Sequence, residues 1–111
     1  PRPNANVCTP GTNMVMKGLL VTQHCTNSIS KTYSGDDWVV LEIEVSGSQK
    51  ITHLLDNEAV LEYEDIQLDP DDKDAQKLIV SDKDLLLDSG YIAIQAETAP
   101  IEFRKIEILP L

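Results

Sequence analysis

WVVLEIEV, residues 38 to 45, alternates without a break. Val39, Leu41, Ile43 and Val45 fall on one face, and Trp38, Val40, Glu42 and Glu44 on the other. Period two with one apolar side marks a half-buried strand, so the chain must build a sheet with a covered face. KITHLLD and EAVLEYE follow and read as a hairpin around Asp56-Asn57. Asn57 tolerates the left-handed backbone that such a turn demands. In the second arm Ala59, Leu61 and Tyr63 share one side, and Val60, Glu62 and Glu64 the other. In the first arm Leu54 and Leu55 are both apolar, so alternation leaves the face of His53 open.

The rest of the chain fits the same class. MVMKGLLVT, residues 14 to 22, reads as a strand with Gly18 as a bend or hairpin turn. Residues 1 to 12 carry prolines, asparagines and a Pro-Gly step and read as loop. His24 to Asp37 is a long polar loop, a place where function often sits. DPDDKDAQK, residues 69 to 77, is an acidic loop with at most a helical turn. YIAIQAE and IEFR, in the final twenty-odd residues, alternate as two closing strands, with Ile101 and Phe103 inward and Glu102 and Arg104 outward.

There is no internal repeat and no amphipathic helix of useful length. Short strands with little helix predict an all-β, antiparallel β-sandwich. The chain has 111 residues, which allows one domain at most. About six strands cannot cover two sheets by themselves. Either the domain is small, or further strands come from a missing segment, in which case the sandwich is incomplete and residues 1–111 form part of a single domain. The opening PRPNANV, which reads as interior loop sequence, agrees with the latter.

Charge limits the partners. The net charge is −10, whereas binding to nucleic acid or an anionic membrane calls for clustered Lys and Arg. No apolar run approaches about 20 residues, so no transmembrane helix is expected. Cys8 and Cys25 fit either a disulfide or two free thiols.

Several polar groups could carry chemistry. Gln95 and Glu97 share the polar face of YIAIQAE, and Glu102 and Arg104 that of IEFR. Carboxylates and amides on one sheet face can hold sugar hydroxyls or move protons. The simpler reading is a solvated face with an Arg–Glu pair. His24 next to Cys25 resembles half a metal site without the usual spaced partners, and His53 stands alone. Asp69, Asp71, Asp72 and Asp74 lack the glycine and distal glutamate of a helix-loop-helix calcium site and read as a solvated loop. Trp38, Tyr33 and Tyr63 could stack on a sugar ring or simply pack. Neither a nucleophile elbow nor a Gly-rich phosphate loop is present.

Taken together, NVCTPGTNMVM, HCTNSISKTYSGDDWV, ITHLLDNEAVLEYE and GYIAIQAETAPIEFRKIEI resemble the 3-keto-disaccharide hydrolase domain family. The resemblance runs over nearly the whole chain. It implies a concanavalin A-like or laminin-G-like jelly roll of about twice this length, so that this chain would be the C-terminal half and an N-terminal half would complete it. It also implies a bacterial, secreted or periplasmic protein, lipoproteins included, acting on carbohydrate. The implied reaction is cleavage of 3-keto-glycosides by hydrolysis or by elimination across C1 and C2. A 3-keto group acidifies the C2 hydrogen, so the site needs a base, a stabiliser for the enediolate and a proton donor. The stabiliser is either oriented donors or a divalent metal ion. On this resemblance Glu97 and His24 are the catalytic candidates. Gln95, Trp38, His53, Arg104 and Glu102 are the substrate-binding ones. Two departures stand out: Asp56-Asn57 replaces the family's frequent Asn-Gly, and Ala99 stands where a histidine often precedes the proline.

Overall fold

The computed structural model describes residues 2–81, 84–96 and 99–111. It is all-β and antiparallel, apart from one helical turn. The strands are β1 (Val7–Cys8), β2 (Thr12–Met16), β3 (Leu19–Val21), β4 (Cys25–Thr26), β5 (Leu41–Ser46), β6 (Lys50–Leu55) and β7 (Glu58–Leu68). A five-stranded sheet has the order β3-β2-β7-β6-β5, and β1 pairs with β4 in a separate ribbon.

Turn chemistry sets both hairpins. Lys17 and Gly18 both have positive φ, 51° and 77°, and join β2 to β3 with Met16 opposite Leu19. Asp56 and Asn57, at 47° and 69°, do the same between β6 and β7 with Leu55 opposite Glu58. Positive φ at both central residues is the two-residue turn whose twist suits a hairpin. Both turns fall where the sequence predicts them.

A β-bulge then decides which faces meet. Leu54 pairs with Ala59, but His53 pairs with Leu61, so Val60 is the extra residue on β7. Beyond the bulge, Leu61 and Tyr63 share a face with His53 and Ile51. The register with β5 adds Leu41, Ile43 and Val45 to that side. The other side carries Glu42, Glu44, Thr52, Glu62 and Glu64, with an ion pair between Lys50 and Glu62. Period two thus sorts the residues of β5 as the sequence predicts. On β7 the bulge separates Ala59, which is exposed, from Leu61 and Tyr63.

Met14, Ile51, Leu61 and Tyr63 form the core cluster, with Val7, Met16, Val21, Ile43 and Ile66 packed against it. Met14 is fully buried. The β1–β4 ribbon covers this side. The Ser28 N–H donates to Asn6 Oδ1 at 2.8 Å, and the Ile29 N–H donates to the carbonyl of Val60, the bulge residue, at 2.9 Å. A Cys8–Cys25 disulfide joins the ribbon's two strands, which settles the choice between bridge and free thiols. The turn of helix, α1 (Lys73–Gln76), is capped by Asp72, whose side chain accepts from the Ala75 N–H.

Three expectations are corrected. Trp38–Val40 lies outside β5, because Val40 is held at the hairpin tip instead: its N–H donates to Asp56 Oδ1 and its carbonyl accepts from the Asp56 N–H. Residues 7–8 and 25–26, read as loop, form the ribbon. The two closing strands are absent among the described residues of 90–111, which are exposed and outside any strand. Ile101 and Phe103, expected to point inward, are 53% and 47% exposed. Alternation marks which side chains would share a face, but a strand also needs a neighbouring edge to pair with.

Opening the disulfide frees a 17-residue separation in the unfolded chain. Cys8→Ser/Cys25→Ser should therefore cost about 3 kcal/mol of stability. Urea unfolding should show a lower midpoint, with a slope that rises as the unfolded chain loses its cross-link, and an unchanged midpoint would rule out the bridge as a stabilising element.

Candidate functional site

His53 occupies the covered face of β6 and is 4% exposed. Both ring nitrogens are satisfied. Nδ1 lies 2.8 Å from the Ala5 carbonyl, which can only accept, so Nδ1 carries the proton. Nε2 is then the acceptor, and the Tyr63 hydroxyl donates to it at 2.8 Å. The two rings meet edge-on with centroids 5.3 Å apart. Burial lowers the His53 pKa, and the hydrogen bond to Ala5 works against that shift. Burial pushes the Tyr63 hydroxyl up to about 12. This arrangement holds a neutral imidazole in place and leaves it no free nitrogen with which to meet a sugar.

The other predicted residues lie at the surface. His24 is exposed, just before β4 and beside the disulfide. Trp38 is half exposed, and the Arg104 guanidinium lies 4.0 Å from its ring centroid. Such a contact is worth about 0.5–1 kcal/mol at an exposed position, and it holds the C-terminal segment against residue 38. Gln95 and Glu102 are exposed and have no hydrogen-bond or ion-pair partner among the described residues. The expected Arg104–Glu102 pairing is thus replaced by Arg104 on Trp38. Glu97 lies outside the described residues. Of the predicted residues, then, Trp38 and Arg104 are brought together, while His53 belongs to the core.

Two features escaped the sequence reading. Tyr63 is the partner of His53, and only the Val60 bulge puts them on one face. A groove is lined by Ile29, Lys31, Tyr33, Glu58 and Val60, with the Lys31 ammonium 5.0 Å from the Tyr33 ring centroid. Tyr33 carried a signal as an aromatic in a long polar loop, but Glu58 across the groove did not.

The donor set bears on a metal ion. Among the described residues the one grouping of three ligating side chains is Cys8, His24 and Cys25. Its two sulfurs are bonded to each other. A hard cation that stabilises an enediolate takes oxygen and nitrogen donors, so these residues do not fit it.

The family model of the 3-keto-alpha-glucoside-1,2-lyase-like domain matches residues 4–109. The chain belongs to that family. No curated protein and no solved structure matches it significantly. Membership of the 3-keto-alpha-glucoside-1,2-lyase-like family ties the chain to carbohydrate chemistry. The match covers most of this short chain and leaves its place within a larger domain open. Among the described residues no helix is long and apolar enough to cross a membrane.

The His53–Tyr63 pair predicts how stability varies with pH. His53 titrates at about 6.5 when unfolded and below that when folded. The unfolded chain then binds the extra proton, so this contribution is complete above 6.5 and is lost as pH falls through the lower folded value. Tyr63 behaves in the opposite sense. Its contribution is complete below its ordinary 10.0 and is lost as pH rises towards about 12. Urea unfolding between about pH 7 and about pH 5 should show stability falling with pH in the parent chain and a flatter profile in His53→Gln. That variant should also be about 2 kcal/mol less stable at pH 7, since it disturbs two buried hydrogen bonds. An identical pH slope in both proteins would remove His53 as the source.

Proposed function

We propose that this chain is the C-terminal part of a domain that cleaves 3-keto-glycosides, by elimination across C1 and C2 or by hydrolysis. The observation that carries this reading is the family match over residues 4–109. A jelly-roll arrangement, completed by a preceding segment of the same protein, is part of the proposal. The open side of β5 supports it: Leu41 and Val45 face the covered side of the sheet yet are 41% and 39% exposed. The disulfide supports a secreted or periplasmic location, since such bridges persist in oxidising compartments.

In the proposed reaction Glu97 removes the C2 proton, which the neighbouring ketone acidifies. Negative charge develops on the C3 oxygen, and the fixed positive charge of Arg104 is the residue suited to oppose it. The C1–oxygen bond then breaks, and the departing alcohol takes a proton from His24. Trp38 offers a ring face for the sugar, while Gln95 and Glu102 offer polar groups to its hydroxyls. The support for these roles is placement in the matched motifs, together with the exposure of His24, Gln95, Glu102 and Arg104. No step is assigned to a metal, because the described ligands suit a soft ion rather than a hard one.

A second reading is a carbohydrate-binding module without catalysis. Ala99, at a position where the family often carries histidine, favours it.

Incubating the full-length protein with a 3-keto-disaccharide should release free sugar. Glu97→Gln should lower kcat by about 10²–10⁴-fold, the usual contribution of a positioned base. Trp38→Ala should act mainly on KM. Binding without turnover in the parent protein would establish the second reading. If neither binding nor turnover occurs, with or without added divalent metal, both readings fail.

A further inference from the structure

Cys8 and Cys25 stand directly opposite each other on β1 and β4, and their bridge lies at the surface with His24 alongside. One ligating atom from each residue lies within 4.8 Å of the other two. While bridged, the sulfurs have no thiolate to offer. Once reduced, the same spot presents two thiols and an imidazole, a donor set that suits zinc. Tetrahedral zinc ligands sit about 3.5 Å apart, given bonds of about 2.3 Å to sulfur and about 2.0 Å to nitrogen. The observed spacing comes within reach of this once the sulfurs separate and rotate.

Two hydrogen bonds also link the segments that carry the three residues, in addition to the bridge. The Thr9 N–H donates to the His24 carbonyl at 2.8 Å, and the Ser28 N–H donates to Asn6 Oδ1 on the opposite strand's flank. Neither contact involves sulfur. All three side chains are exposed, so an ion has a path in and water can complete its shell.

We propose that Cys8, His24 and Cys25 form a redox-gated site for a thiophilic divalent metal ion, closed by the disulfide and opened by its reduction. A dithiol supplies the two electrons and two protons. The Cys8–Cys25 bond breaks to two thiols, and the dithiol becomes a disulfide. The ion then displaces both thiol protons to solvent and forms two metal–sulfur bonds. The free nitrogen lone pair of His24 gives the third bond and water the fourth, with no change in the metal's oxidation state. This site is independent of the glycoside reading, although a coordinated His24 is withdrawn from proton transfer.

Cobalt(II) is the probe, because its bonds to thiolate give a charge-transfer absorption; zinc should then displace it. Full-length protein is compared with its Cys8→Ser/Cys25→Ser and His24→Ala variants, each before and after dithiol reduction. The reduced parent should take up one equivalent with the charge-transfer band, and the oxidised parent none. The serine variant should show no such band. His24→Ala should keep the band but bind at least about tenfold more weakly. Circular dichroism follows the fold, and if reduction unfolds the ribbon, added zinc should restore it. Equal uptake by the oxidised parent, uptake unaffected by the serine variant, or affinity unchanged in His24→Ala would overturn the proposal. So would a reduced chain that unfolds and is not restored by zinc.

Discussion

One buried imidazole ties the two parts of this fold together. His53 sits on a sheet face made of Ile51, Leu61 and Tyr63, where an unpartnered polar ring would cost several kcal/mol. It is tolerated because one nitrogen reaches forward to Tyr63 on the sheet and the other back across 48 residues to Ala5. Ala5 adopts a left-handed backbone with φ of 61°, a conformation costing about 1–2 kcal/mol for a residue with a Cβ. The hydrogen bond from His53 helps offset that cost. The N-terminal segment is thereby fixed over the sheet by a directional contact, where apolar packing alone would allow sliding.

That dependence runs outward through the bulge. Without Val60 as the extra residue, His53 would lie opposite Val60, and Leu61 and Tyr63 would turn to the acidic face. The bulge returns both to the core, and its carbonyl accepts from Ile29 in the segment after β4. So a single inserted residue aligns the core and anchors the cover. The disulfide then closes the cover on itself, a task that two strands of two residues each could not do by backbone pairing alone.

How much of this was legible in the sequence follows from which forces are local. Each hairpin contains a residue that tolerates positive φ, so Gly18 and Asn57 marked the turns, while the positive φ of Lys17 carried no signal. The faces of β5 were legible from period two. The bulge was not, since Val60 and Leu61 look alike as apolar neighbours, and the face of His53 was lost with it. The ribbon was illegible for a different reason. Its strands are short, and the contacts that define it, the pairing of Val7 with Thr26 and the Asn6–Ser28 hydrogen bond, join residues far apart in sequence. The C-terminal segment carried a true alternation signal, but alternation says nothing about whether a partner edge exists. Among the described candidates for sugar contact, Trp38 and Arg104 came together, through a contact that spacing does not encode.

The distribution of charge also bears on the glycan. The outer face of β5, β6 and β7 presents Glu42, Glu44, Glu62 and Glu64, with Lys50 paired to one of them. With a chain net charge of −10, the field around the molecule repels sulfated or uronic polymers at low ionic strength. An uncharged sugar meets no such barrier and gains from aromatic faces and hydrogen bonds, which screening affects little. Trp38, with Arg104 against its ring, and the Lys31–Tyr33 groove each pair an aromatic with a cation. Each therefore offers a locally less negative patch on an acidic surface. Under the proposed glycoside-cleaving reading, a neutral glycoside therefore meets less electrostatic resistance at this surface than a polyanionic one.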